Sequence, residues 1–347
     1  MGSSPAGHCA RRVIAYSPRF LDHAPSPLHV ERPDRLRAVV ARLRSEGLFE
    51  DVAEPEPAAL EDVRRVHTQE YLDAFRSPPE GFLDPETAID ADTFEIARLA
   101  AGAVLGAARA SVRDGRPGVA LVRPPGHHAG PGYGGGFCYL NSVAIAAADQ
   151  AALGRRVAIL DYDAHHGNGT RDIFAEDPRV LYVSTHEFGI YPGTGPAEDV
   201  GEGEGRGFTV NVPFRAGSGD ASYGLAFDRV IEPIVRAFRP DVVLVSLGID
   251  AHYRDPLTSL ALSSPGYVDL VGRSADLASG VCGSRLVIAM EGGYHLGALA
   301  EVWAGVVGRL RGTRVRADLT EDMDRAGRGA AAVDAAARAL SPYWNLR

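Results

Sequence analysis

Val157-Ala158-Ile159-Leu160-Asp161-Tyr162-Asp163-Ala164-His165-His166-Gly167-Asn168-Gly169 sets a short apolar run directly against two carboxylates and two imidazoles. A continuous apolar run reads as a strand buried on both faces, the kind found in a parallel sheet covered by helices. Side chains alternate along a strand, so Asp161 and Asp163 point the same way. The Gly-Asn-Gly that follows breaks the strand and can turn His165 toward the same pocket. An Asp/His set at a strand's carboxyl end, joined by one more carboxylate from elsewhere, suits a catalytic divalent metal with an open position.

Working outward, β-branched runs recur at residues 13–16, 119–122, 180–183, 208–212, 242–247 and 286–290. Between them, Ala/Leu-rich segments predict helices over 32–45, 93–113, 140–153, 223–238, 266–279 and 298–311. The alternation predicts an α/β fold, a central mostly parallel sheet with helices on both faces. Nothing marks a linker and no repeat is visible, so residues 1–347 read as a single domain. Residues 199–207 read as a solvated loop, and 313–347 as a terminal helix or loose tail.

Composition narrows the function. The net charge of −9 argues against nucleic acid, whose phosphates need clustered Lys and Arg, and is compatible with basic partners such as lysine-rich tails or polyamines. Cys9, Cys138 and Cys282 are odd in number and widely spaced, which fits a reducing compartment rather than a disulfide framework. No segment reaches the roughly 18 apolar residues of a membrane span. The first dozen residues lack the apolar core of a signal peptide, so a cytoplasmic protein is expected. The Ala/Arg/Gly-rich composition points to a GC-rich bacterial genome.

Ligands of an open parallel sheet bind beyond the carboxyl ends of its strands, and the polar clusters fall there. Arg123-Pro-Pro-Gly126-His127-His128 follows one run, Gly248-Ile-Asp250-Ala-His252 another, and Glu291-Gly-Gly-Tyr294 a third. Adjacent histidines on a regular strand would face opposite ways; on a loop after Pro-Pro-Gly both can be aimed at one site. The Gly-Gly before Tyr294 permits a sharp turn that presents a phenol to the pocket.

These clusters occur in order with Gly136-Phe137-Cys138-Tyr-Leu-Asn141, Tyr191-Pro-Gly-Thr-Gly195, Asn211-Val-Pro213 and the Asp255-Pro-Leu257 that continues the Asp250 motif. Together with His29-x-Glu31-Arg-Pro-x-Arg35, they span roughly residues 13 to 311. The set resembles the zinc-dependent histone deacetylase superfamily, whose fold is a three-layer, arginase-like α/β arrangement. Asn168, where other branches carry Asp, is similar to the class II group and its bacterial relatives. That group includes histone deacetylase-like amidohydrolases, acetylpolyamine amidohydrolases and acetoin-utilisation-type deacetylases.

The expected chemistry is metal-assisted amide hydrolysis. Asp163, His165 and Asp250 are the candidate metal ligands, leaving open positions for a water and a substrate carbonyl. Two anionic oxygens and one imidazole accept Zn2+ and would also accept Fe2+. His128 is the candidate general base and acid, because the neutral amide of Asn168 leaves its pKa low. His127 is expected to stay charged, held by Asp161. Tyr294 is the candidate oxyanion donor.

The resemblance further implies that Phe137 and Tyr191, with Gly136, flank a narrow tunnel for an extended alkyl chain such as a lysine side chain. It implies a carboxylate before the 93–113 helix that holds the substrate backbone, Glu86 first and Asp84 as the alternative. Leu257 stands at the family's gatekeeper position, where Glu would select a polyamine. A structural K+ near Ser184 and Asp161 is implied likewise.

Blander roles remain for other residues. Cys138 reads as a packed thiol and His166 as a supporting or structural residue. His186 and His252 are expected near the rim without chemistry, and Trp303 and Trp344 in packing, the latter anchoring the tail. The expected substrate is an acyl-lysine peptide or protein, or a small N-acyl amine such as an acetylated polyamine or metabolic intermediate. A non-catalytic acyl-group binder is the alternative of another class, disfavoured by the presence of His127, His128 and Tyr294. An arginase-type ureohydrolase would need a two-manganese ligand set richer in paired Asp/His motifs.

Overall fold

The computed structural model describes residues 14–24, 28–77, 80–320, 324 and 328–346. Cys9 and Val13 lie outside the described residues. Among the described residues ten strands form: β1 (Ile14–Ala15), β2 (Val52–Ala53), β3 (Gly81–Phe82), β4 (Ala88–Ile89), β5 (Gly118–Ala120), β6 (Val157–Asp161), β7 (Val180–Glu187), β8 (Thr209–Phe214), β9 (Val242–Leu247) and β10 (Leu286–Met290). Eight of them make one sheet in the order β2-β1-β5-β10-β9-β6-β7-β8, with every pairing parallel. The remaining two, β3 and β4, form a small antiparallel hairpin. Every residue of β6, β7, β9 and β10 is buried, the reason β9, β10 and the first four residues of β6 and β7 are mostly apolar rather than alternating.

Helices α1 (Asp34–Ser45), α4 (Thr93–Asp114), α5 (Ser142–Ala152), α9 (Ser264–Cys282) and α10 (Leu296–Arg311) follow the predicted segments closely. Their ends have local causes. Asn141 and Ser263 cap α5 and α9 by accepting from Ala144 N and Gly266 N. Glycines 115, 283 and 312 end α4, α9 and α10 in the left-handed conformation.

Several elements depart from expectation. The helix expected at 223–238 is two helices, Asp220–Ala226 and Glu232–Phe238, joined by a π-helical turn at Phe227–Ile231. Asn168 opens a helix, Asn168–Phe174, where only a chain-breaking turn was expected. The 199–207 stretch is partly packed: Val200 and Gly205 are buried and Asp199 pairs with Arg171. The tail contains a helix, Ala330–Leu340, that packs against β8. Trp344 anchors it, donating from Nε1 to Gly207 O at 2.6 Å and packing on Phe208. Trp303 is fully buried.

The four strands β5, β10, β9 and β6 are consecutive neighbours at the middle of the sheet. Their carboxyl ends lead into the loops that carry Arg123, Glu291, Gly248 and Tyr162, so the three polar clusters that follow β5, β9 and β10 and the one after β6 lie at the same edge of the sheet.

Candidate active site

Asp163, just past β6, and Asp250, just past β9, bring their carboxylates onto one imidazole. His165 Nδ1 lies 3.1 Å from Asp163 Oδ1 and 2.9 Å from Asp250 Oδ2. The three candidate ligand atoms all lie within 4.8 Å of one another. Two ligand atoms about 2.1 Å from a zinc ion at the tetrahedral angle stand about 3.4 Å apart, so this donor set fits such an ion. The second oxygen of each carboxylate is tied to the backbone: Gly292 N donates to Asp163 Oδ2 at 2.9 Å, and Ala164 N to Asp250 Oδ1 at 2.8 Å. This closeness explains the glycines. A Cβ at Gly248 or Gly292 would overlap the Asp163 carboxylate.

The adjacent histidines have unlike partners. His127 Nδ1 meets Asp161 Oδ2 at 3.2 Å, and its Nε2 lies 3.7 Å from Asp163 Oδ1. Burial opposes its charge, but Asp163 and Asp161 outweigh burial and hold its pKa up at about 10. Tyr182 donates its hydroxyl to the same Asp161 oxygen. His128 Nδ1 instead meets the amide oxygen of Asn168 at 2.7 Å. Burial, together with the charges on His127 and His165, pushes His128 well below the ordinary histidine range. The loop's backbone is held by Glu291, whose Oε2 accepts from Gly126 N at 2.7 Å and His127 N at 3.3 Å.

Tyr294 enters from the β10 loop. Its backbone N–H donates to Asp255 Oδ2 at 2.7 Å, and Asp255 Oδ1 accepts from Leu257 N at 3.0 Å. Burial keeps its phenol well above the ordinary range, with the Arg35 charge opposing. Phe137 packs edge-on against Tyr294, and Tyr191 edge-on against His128, so the two aromatic residues flank the site from different sides. Gly136 sits between: a Cβ there would meet the rings of His128 and Tyr191. Gly136 and Phe137 both take positive φ, 55° and 68°. Asp84 Oδ2 and Thr87 Oγ1 hold this turn by accepting from their N–H groups at 2.8 and 3.0 Å. Leu257 and Tyr191 are 41% and 48% exposed, so both reach the surface.

Of the two candidate carboxylates, Asp84 is the one tied to the Gly136 turn. Glu86 is exposed, and its backbone N–H donates to Asp84 Oδ1 while its carbonyl oxygen lies 3.1 Å from His29 Nε2. His186 and His252 do not reach the rim. Both are buried, His186 between Ser184 Oγ and Gly195 O, and His252 against Ser264 Oγ. His166 is buried and bonded to Thr194 Oγ1, and Cys138 is a packed thiol facing Gly136 O.

Sequence reasoning assigned no role to Glu31, Arg35 and Arg123, although all three lie in motifs it singled out. All are buried. Arg123 clamps Glu31 through Nε and Nη2 at 2.6 and 2.7 Å, and Arg35 Nη1 donates to Glu31 Oε1 at 2.8 Å. Opposite charge on three long side chains, spread over two of the quoted motifs, was the available signal. Its meaning depended on contacts far apart in the chain.

Residues 29–310 match the model of the histone deacetylase domain. A probable deacetylase from Archaeoglobus fulgidus is 44% identical over 308 residues, covering 86% of each chain. A histone deacetylase-like amidohydrolase from Pseudomonas aeruginosa is 37% identical over 297 residues, 82% of this chain and 78% of that protein. The crystal structure of the HDA15 HD domain superposes with a TM-score of 0.88 at 34% identity, covering 96% of this chain and 95% of the other.

Proposed function

The chain belongs to the histone deacetylase family, a family of hydrolases, and from that premise we propose that it is a zinc-dependent deacylase cleaving the amide of acetyl-lysine or a related N-acyl amine. The observation that carries the reading is the unlike pairing of the two histidines beside the Asp163–His165–Asp250 trio: a carboxylate on His127, an amide on His128.

When bound, zinc supplies Lewis acidity and lowers the pKa of water from about 15.7 toward about 7. His128 Nε2 takes the proton of the attacking water and later hands one to the departing amine. His127, charged through Asp161 and Asp163, stabilises negative charge growing beside it. Tyr294 donates its hydroxyl to the substrate oxygen as it becomes anionic. Phe137 and Tyr191 line a slot for an extended alkyl chain, with Gly136 giving the room between them. The C–N bond breaks, leaving a free amine and a carboxylic acid.

The same reading treats residues 1–347 as one deacetylase domain in the cytoplasm. It allows Fe2+ in place of zinc, since the donor set suits either. It includes a structural K+ near Asp161 and Ser184, which are direct partners across β6 and β7. The net charge of −9 supports a substrate other than nucleic acid, and no helix among the described residues is long and apolar enough to cross a membrane. Leu257, an apolar residue at the mouth, favours a neutral acyl-lysine chain over a cationic polyamine.

The test is the initial rate of acetate release from an acetyl-lysine peptide and an acetylated diamine, with Tyr294→Phe as control. Faster peptide turnover is expected. Faster diamine turnover would move the enzyme to polyamine substrates, and no release from either would overturn the deacylase reading.

A further inference from the structure

Asn168 and Asp172 stand one turn apart on the helix Asn168–Phe174, on one face. The hydroxyl of Tyr133 bridges them. It donates to Asp172 Oδ2 at 2.6 Å and accepts from Asn168 Nδ2 at 3.0 Å. Tyr133 is itself fixed by the loop that carries the histidines. Gly130 N donates to Tyr133 O at 2.9 Å, and the phenol ring occupies the space a Cβ on Gly130 would need.

The polarity of this chain is set from its outer end. A carboxylate only accepts, so the proton between Tyr133 and Asp172 belongs to the phenol. Burial and the Asp172 carboxylate hold that phenol well above its ordinary range, so it keeps the proton. The phenol oxygen then takes its second bond as an acceptor, which turns the amino group of Asn168 toward it. The amide oxygen is left facing His128 Nδ1 at 2.7 Å. An oxygen acceptor at Nδ1 requires Nδ1–H, and a neutral ring with Nδ1–H has a bare lone pair on Nε2.

We propose that Tyr133, anchored by Asp172, is a positioning residue that fixes the amide of Asn168 and thereby the tautomer of His128. The inference deepens the reading of His128 as proton acceptor. A flipped amide would present N–H to Nδ1, move the ring proton to Nε2 and remove the base. An aspartate at 168 would need no such control, because both its oxygens accept.

The test uses the full-length, zinc-loaded protein with 15N-labelled histidine. His128 nitrogens are identified by their loss in His128→Ala, and the tautomer is read at neutral pH from long-range proton–nitrogen correlations. Wild type should show Nδ1–H alone, and Tyr133→Phe a mixture containing Nε2–H. In parallel, Tyr133→Phe should lower kcat about tenfold at unchanged KM. In the Asn168→Asp background the same change should alter kcat less than about twofold. Asp172→Ala leaves the phenol ring in place and should act in the same direction, which serves if Tyr133→Phe disturbs folding. Pure Nδ1–H in both variants would overturn the proposal, as would an equal loss in both backgrounds. The tautomer is readable even if the protein releases no acetate, so failure of the deacylase reading would be told apart from failure here.

Discussion

The guanidinium of Arg35 lies 4.9 Å from the centre of the Tyr294 ring, while its Nε donates to Gly293 O at 2.6 Å and its Nη2 to Glu291 O at 2.5 Å. One buried side chain therefore pins the backbone on the N-terminal side of Tyr294 and sets a cation beside its ring. Arg35→Lys keeps the charge but cannot supply the planar fork. We expect it to lower turnover about tenfold or more and to reduce the melting temperature, measured by kcat well below the melt and by calorimetry. An unchanged kcat in the folded variant would restrict Arg35 to a stability role.

Tyr294→Phe removes only the hydroxyl. Losing one oxyanion donor costs about 10²–10³ in rate, so metal content should be unchanged while kcat drops by that order. Normal turnover would remove Tyr294 from the mechanism.

Asp250→Ala takes away one candidate ligand and the acceptor of Ala164 N–H. Metal content by elemental analysis should fall together with activity. Full zinc stoichiometry in this variant would exclude Asp250 as a ligand.

His128→Ala should be at least as damaging as His127→Ala, because only His128 lacks a carboxylate that would hold it protonated. The reverse order of kcat values would exchange their roles.

Glu31 offers a pH signature away from the chemistry. It is fully buried; burial favours its neutral form, but Arg123 and Arg35 overcome this and hold its pKa far below 4.5. A carboxylate whose folded pKa is depressed contributes stability that is present above the unfolded value and is lost as pH falls toward the folded one. Glu31→Gln leaves two buried guanidinium groups short of an anion and should cost about 3–5 kcal/mol near pH 7. Denaturation midpoints of wild type and variant should converge below about pH 4.5. A gap that stays constant into acid would contradict the ion-pair account.

The sheet was legible because burial on both faces leaves short, β-branched apolar runs; β9 and β10 match their predicted limits. β2, β3 and β4 are two residues each, too short for any periodicity. The helix at Asn168 hid behind Gly167 and Gly169, whose usual meaning is a turn. The clustering of the candidate site's side chains was legible because they follow strand ends. The Glu31–Arg35–Arg123 clamp was not, since Glu31 and Arg123 are 92 positions apart and only the fold brings them together. Local sequence likewise could not separate Asp84 from Glu86, which differ in which one folds back onto Gly136.

The backbone ties made by Asp163, Asp250 and Glu291 join the loops after β5, β6, β9 and β10 to one another. Leu257, Tyr191 and Glu86 project outward from that knot with exposed side chains. A substitution at any of these three side chains leaves those ties in place. A change inside the knot shifts several loops at once. The frame that holds the site and the surface around it are thus separable in this fold.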